Sequence, residues 1–246
     1  TTTIGIADYE KLVGLLAAQA PWWEPGTQSG YHADTQGYLL GEIVKRVDGR
    51  TLGTFFAEEV AGPLDADFHI GTPAECDPRI ARLIGSGPID AGDDPTSIPY
   101  RTFNNPPYLP ELSWLKDWRR AEIPGGGGHG NARSVALCHA PTACGGTANG
   151  VTLLSEDGVA RIFDAQYEGP DLNLLVPLTF GMGFALYPGS GPYTRECGWG
   201  GWGGSLAIVN VDAQMSFAYV MNRMMSSDSD MRRRHLLSAA YEALMA

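Results

Sequence analysis

Three short runs in the 246-residue sequence hold residues that could do chemistry. The first is Cys197-Gly198-Trp199-Gly200-Gly201-Trp202-Gly203-Gly204-Ser205. Glycine weakens a strand and usually marks a place where another backbone or a ligand comes close. A flexible turn or a bulged hairpin would use the same residues. The second run is Tyr31-His32-Ala33, which follows the loop Trp22-Trp23-Glu24-Pro25-Gly26-Thr27 and leads into a helical pattern. A phenol can take the proton of an attacking hydroxyl only if a neighbouring ammonium favours the phenolate or passes the proton along. The third is Ser113-Trp114-Leu115-Lys116, a serine and a lysine at the spacing that lets an amine activate a hydroxyl nucleophile.

Other chemistries find little footing. His129 stands between Gly128 and Gly130 with no second histidine at ligand spacing, so a structural loop histidine is expected and no metal site. Gly125 to Gly128 follows no strand pattern and carries no Lys-Ser or Lys-Thr, which excludes a phosphate loop. No cofactor is called for. The net charge of −11 and pI near 4.8 argue against a nucleic-acid partner, which needs a basic face. The one basic run, Arg232-Arg233-Arg234, sits in a helical pattern beside Asp228 and Asp230 and reads as a solvated helix face. Cys76, Cys138, Cys144 and Cys197 are scattered and are expected to be free thiols. Neither a charged-then-apolar leader nor an apolar stretch of about 18 residues is visible, so the reading is a cytoplasmic protein with no membrane partner.

The elements that must position these residues follow from periodicity. Asp8 to Ala20 reads as a helix with Asp8 as its cap and Pro21 as its stop. Thr35 to Val47 places Tyr38, Leu39, Ile43, Val44 and Val47 on one helical face and ends at Gly49. Leu52 to Val60 reads as a further helix, and Phe68 to Gly71 as a short extended piece. Residues 85 to 128 are Pro- and Gly-rich and are expected to form long loops with short helices, a stretch suited to walling a pocket. In it Tyr108 and Trp118 are candidates to line an acyl pocket, with Trp22 and Trp23 as core or pocket wall. Asn131 to Cys144 is a helix that Pro141 should kink or end early, and Ser155 caps another running toward Phe163. Phe180 to Tyr187, Leu206 to Val211 and Met215 to Met221 read as antiparallel strands. A last helix from about Met231 to Met245 is expected to pack Leu236, Leu237, Ala240 and Leu244 on that sheet.

The tyrosine triplet, the Trp-Gly-Gly of residues 199 to 201, and Gly181-Met182-Gly183-Phe184 at hairpin distance before it resemble the serine β-lactamases, D,D-peptidases and family VIII carboxylesterases. The resemblance also takes in Trp22 to Gly71, Gly128 to Arg133 and Ala218 to Arg223. That group carries three signatures: Ser-x-x-Lys, a Tyr-x-Asn-like triplet and a Lys-Thr-Gly-like strand. Tyr31-His32-Ala33 matches the second and Trp199-Gly200-Gly201 the third, in the form that family VIII esterases carry. The resemblance implies an α+β fold of the β-lactamase/transpeptidase type, an antiparallel sheet flanked by helices plus a mostly helical region. Residues 1–176 would form the helical, loop-rich region and 177–246 the C-terminal strands and terminal helix.

It also implies roles. Tyr31 would be the general base of a serine acyl transfer, and the backbone N–H of Trp202 would supply the oxyanion side, reached past Gly200 and Gly201. Trp199 stands where β-lactamases hold a cation for a substrate carboxylate, which points toward neutral esters. His32, beside Tyr31, is a further candidate to meet substrate. β-Lactam or D-amino-acid amide hydrolysis is the alternative, and an inactive binding or scaffold role the alternative of a different class. In that group the Ser-x-x-Lys precedes the tyrosine, and residues 1–30 contain none. Ser113 and Lys116 fit the pattern but follow the tyrosine in a Pro-rich, charged stretch, so they are read as a decoy. The nucleophile is then expected on an N-terminal segment or a second chain, whose strands would complete the sheet.

Overall fold

The computed structural model describes residues 8–105, 107, 109–226 and 230–246. The chain divides into two compact units: Thr1–Glu58, Phe68–His129 and Pro170–Pro177 form one, and Glu59–Asp67, Gly130–Gly169 and Leu178–Ala246 the other.

The first unit holds helices α1 (Tyr9–Ala18), α2 (Thr35–Asp48), α3 (Leu52–Phe56), α4 (Ile98–Phe103) and α5 (Lys116–Arg120), with the short strand β1 (Phe68–His69). Its helix ends follow the expected chemistry. The Asp8 carboxylate accepts from the Lys11 N–H and caps α1, and Gly49 closes α2 at φ 92°, a conformation that costs glycine no Cβ clash. The helix expected over Leu52 to Val60 stays α-helical only to Phe56 and widens into a π turn at Ala57–Ala61. The core is Tyr38, Leu112, Trp118 and Ile123, onto which Tyr9, Leu12, Val13 and Leu16 of α1 pack. Trp118 is thus a core residue rather than a pocket wall. The charged stretch after it is also less exposed than its composition implies. Arg119 is buried, donating to Asp77 and to the Ser113 and Trp114 carbonyls, and Arg120 pairs with the same Asp77.

Gly125 to Gly128 has a packing explanation. A Cβ on Gly125 would meet the Asp34 backbone at 2.7 Å, and one on Gly128 would meet the Phe68 ring at 2.5 Å. The run therefore lets a loop close against the start of α2.

The second unit is built on strands β5 (Tyr167–Pro170), β6 (Pro177–Phe180), β7 (Ala185–Tyr187), β8 (Glu196–Gly200), β9 (Leu206–Asn210) and β10 (Met215–Tyr219). They form one sheet in the order β10-β9-β8-β7-β6-β5. The pairings from β6 to β10 are antiparallel, for instance Gly198↔Ile208 and Ala185↔Gly198. Its helices are α6 (Ala132–Ala143), α7 (Glu156–Ile162) and α8 (Arg232–Met245). Between β2 (His129–Gly130), which precedes α6, and the sheet lies the small hairpin of β3 (Thr147–Ala148) and β4 (Val151–Thr152). The core combines Ala143, Ile162, Cys197 and Val209 with Phe163, Phe184 and Leu186 around them.

Several expectations change here. The run from Phe180 to Tyr187 is two strands, because Gly181 to Phe184 turn the chain, with Gly183 at φ 82°. Strand β5 was not visible in the sequence. Pro141 lies inside α6 without ending it early, since it stands in the last turn, where its missing N–H removes one bond. Asn131 and Ser134 form a reciprocal cap at the other end of that helix. On α8, Leu236 and Leu244 are exposed, Leu237 and Ala240 are half-buried, and the fully buried residue beside them is Tyr241. Its hydroxyl donates to Glu196 and accepts from the Asn210 amide at 3.0 Å, so a polar group stands at the centre of the buried face.

Glu196 and Asn210 are both buried, and removing the Tyr241 hydroxyl leaves them short of a partner. Tyr241→Phe is therefore expected to lower the stability of the protein by about 1–3 kcal/mol in denaturant unfolding, more than its lost surface would predict. An unchanged unfolding midpoint would show that the hydroxyl contributes nothing.

Candidate active site

The tyrosine triplet ends a loop that is braced internally before α2 begins. The Trp23 indole donates to the Gln28 carbonyl at 3.1 Å, the Thr27 hydroxyl to the Glu24 carbonyl at 2.7 Å, and His32 Nδ1 to the Gly30 carbonyl at 2.6 Å. The Trp23 ring lies over Gly30, where a Cβ would collide with it, and meets His32 edge-on at 6.1 Å between centroids. His32 is exposed, with its protonated ring nitrogen committed to the loop.

A second set of contacts comes from 140 residues away. The Tyr31 N–H donates to Asp171 Oδ1 at 3.1 Å, the Ser29 hydroxyl to Asp171 Oδ2 at 2.9 Å, and Asn173 Nδ2 to the Tyr31 carbonyl at 2.7 Å. Asp171 Oδ1 also accepts from the Asn173 and Leu174 N–H groups, both at 2.9 Å. The Leu172 N–H donates to the Ser29 carbonyl at 2.8 Å. Asp171 and Asn173 are 1% and 3% exposed. Nothing in the sequence pointed to them, because a contact across that separation leaves no local spacing.

Three residues past Tyr31, Asp34 stands at the start of α2 without a side-chain cap bond. Burial pushes its carboxyl up to about 6.

The glycine run belongs to the second unit. Gly198 faces β9 so closely that a Cβ would collide with the Ala207 carbonyl. Trp199 packs its ring on Phe180 at 5.6 Å between centroids. The ladder to β7 stops at Gly198, whereas the ladder to β9 continues through Trp199 and Gly200. The strand then becomes a tight turn, with the Gly201 N–H donating to the Ser205 carbonyl at 2.9 Å and the Gly204 N–H to the Gly201 carbonyl at 3.2 Å. Gly201 and Trp202, placed by the sequence on an oxyanion strand, are therefore in the hairpin connection that follows it. Gly203 and Gly204 have φ of 88° and 119°, and a side chain on them would strike Met224 and Asp230. At Gly200 the nearest atom to an added Cβ is Arg233 Nη1 of α8, 3.0 Å away, the end of a flexible side chain. Most of these glycines thus serve the protein's own close packing, and Gly200 is the most open within the strand.

The other candidates fall away from chemistry. The Ser113 hydroxyl donates to the Pro110 carbonyl at 2.7 Å within a 3-10 turn, and Lys116 is exposed at the start of α5, a separate element. All four cysteines are free, and burial pushes the Cys138 and Cys197 thiols up to about 11 and about 12, far from a thiolate nucleophile. His129 donates to the Gly127 carbonyl at 2.9 Å and stacks edge-on with Trp118. Among the described residues no group of three or more His, Cys, Asp or Glu could hold a metal, and no helix is long and apolar enough to cross a membrane. Trp22 lines a cleft of about 420 Å³ with Tyr100, Arg101 and Asn104, its ring beneath the Arg101 guanidinium at 3.7 Å. Tyr108 lies outside the described residues.

The Beta-lactamase family matches residues 1–241. The chain belongs to that family. Among curated proteins, the esterase/beta-lactamase LipL of Mycobacterium tuberculosis (strain ATCC 25618 / H37Rv) is 32% identical over 234 residues, covering 90% of this chain and 54% of LipL. Among solved structures, a family VIII carboxylesterase is 35% identical with a TM-score of 0.89, covering 98% of this chain and 66% of its own. A penicillin-binding protein homologue from Caulobacter crescentus is 34% identical with a TM-score of 0.85 at the same coverage. This member of the Beta-lactamase family therefore spans about half the length of its curated relative and somewhat under two thirds of these structures. The expected α+β, β-lactamase/transpeptidase-like fold is confirmed by these likenesses and by the mixture of helices and antiparallel sheet.

The Asp34 carboxyl gives a pH prediction. Its folded-state pKa lies above the unfolded value of roughly 3.9, so the folded chain holds the proton more tightly and loses stability as pH rises from about 4 to about 6. Asp34→Asn should be more stable than the parent at pH 7, by on the order of 2–3 kcal/mol, and equal to it at pH 3.5. Thermal melts of both proteins across that range check it; parallel curves would show that Asp34 is ionised without penalty.

Proposed function

We propose that this chain carries the tyrosine and the oxyanion side of a serine hydrolase that cleaves carboxylic esters through an acyl-enzyme. The serine and its lysine would come from a Ser-x-x-Lys segment outside these residues, a reading that the relatives' greater length supports. The serine oxygen attacks the ester carbonyl while Tyr31 takes its proton. The alcohol leaves with that proton, and water then cleaves the acyl-serine by the reverse of the same transfers. The N–H of Trp202 and that of the serine hold the developing oxyanion, and Trp199, Gly200, Gly201 and His32 meet the substrate. A small-molecule ester is the partner, no cofactor takes part, and the free thiols favour a cytoplasmic setting.

The observation that carries the ester reading is Trp199 packed on Phe180. An aromatic pair supports an uncharged acyl or alcohol group where a cation would support a carboxylate. Arg233 favours a second reading, hydrolysis of an anionic β-lactam or amide. Its guanidinium lies beside Gly200 and donates to the Ser205 carbonyl at 3.2 Å, while Asp230, whose carboxyl its charge helps to lower, is hydrogen-bonded to Arg232.

The full-length protein decides between them. With a p-nitrophenyl ester and a chromogenic cephalosporin as substrates, the ester should be turned over faster, and a fluorophosphonate should add to one serine by intact mass. Tyr31→Phe should lower ester kcat/KM by about 10²–10⁴-fold. Faster cephalosporin turnover that collapses in Arg233→Gln would establish the second reading. Absence of both turnover and adduct would leave an inactive binding or scaffold role.

A further inference from the structure

We infer that Asp171 and Asn173 are positioning residues for Tyr31, an inference that rests on Tyr31 acting as the base. Tyr31 ends a loop whose other braces are local, and both of its main-chain polar groups are taken by this pair: the N–H by Asp171 Oδ1 at 3.1 Å and the carbonyl by Asn173 Nδ2 at 2.7 Å. With the Ser29 hydroxyl on Asp171 Oδ2 and the Leu172 N–H on the Ser29 carbonyl, residues 171–173 hold 29–31 at four points. Two bonds to one residue's backbone fix its Cα and hence where its side chain starts.

The side chains themselves point to function over packing. Asp171 is a carboxylate at 1% exposure, and Asn173 keeps its amide at 3% exposure although its Oδ1 has no hydrogen-bond partner among the described residues. A leucine of similar size would avoid that desolvation cost, so what the amide adds over an apolar residue is its donor bond to Tyr31. A base displaced by an ångström loses on the order of 10²-fold in rate while substrate affinity is little affected.

The test is a double-mutant cycle in the full-length protein, with p-nitrophenyl butyrate as substrate and fluorophosphonate titration to count active sites. Asn173→Leu should lower kcat per titrated site by about 10–100-fold, change KM less than threefold and shift the acid limb of the pH–rate profile. In the Tyr31→Phe background the same substitution should cost less than twofold, because its effect passes through the phenol. Asp171→Asn, which keeps the shape but weakens the acceptor, should show the same pattern. Equal losses in both backgrounds, or a loss that disappears when rates are divided by titrated sites, would make the pair merely structural and overturn the inference. Unchanged activity in Tyr31→Phe alone would overturn the Tyr31 reading itself, and the inference with it. Unchanged kcat in Asn173→Leu beside a disabled Tyr31→Phe would overturn the inference while leaving that reading intact.

Discussion

The buried carboxylate of Asp171 is the constraint on which the first half of the candidate site depends. A carboxylate at 1% exposure is tolerated only if donors replace its water, and four do: the Ser29 hydroxyl and the N–H groups of Tyr31, Asn173 and Leu174. Two of these belong to the tyrosine loop and two to its own turn. The same charge therefore organises residues 171–174 and attaches them to residues 29–31. This accounts for a peculiarity of the chain, in which Pro170–Pro177 belongs to the first unit although β5 and β6 on either side of it are paired in the sheet of the second. The excursion is tied to residues 29–31 by two hydrogen bonds to the Asp171 side chain and two more from Asn173 and Leu172.

The glycine run obeys a different constraint, steric rather than electrostatic. Where β8 meets β9, Gly198 permits backbone contact, and beyond Gly200 the chain reverses at positive φ over Met224 and Asp230. Asp230 is held below the usual carboxylate range by Arg232, so the turn rests on an ion pair as well as on glycine. A strand that must run past the end of its β7 partner and then turn at once needs small residues for both tasks. The alternatives that the sequence left open, a close-approach strand or a hairpin, are both realised, in succession.

What was legible in the sequence is what local chemistry encodes. Asp8, Asn131 and Ser155 cap their helices and Gly49 ends α2, as their types and positions imply. The strands near Leu206 and Met215 follow from β-branched and aromatic runs. What was not legible depends on partners far away in the chain. Asp171 and Asn173 look like ordinary turn residues. Trp118 and Arg119 are buried because Asp77 and the Tyr38 cluster receive them. The face that α8 buries keeps Leu237 and Ala240 of those that periodicity favoured, but its centre is Tyr241, which finds Glu196 and Asn210.

Gly200 has two neighbours of opposite chemistry. Trp199 and Phe180 offer an aromatic surface on which an apolar acyl group loses water at little cost, while Arg233 offers charge. The two arginines that open α8 are not equivalent: Arg232 is neutralised by Asp230 at 2.7 Å, whereas Arg233 gives one bond to the Ser205 carbonyl. A guanidinium has five donors, so a single carbonyl does not saturate it. That carbonyl also receives the Gly201 N–H and thereby closes the turn. The remaining donors let Arg233 meet a further acceptor without breaking the bond that holds the turn.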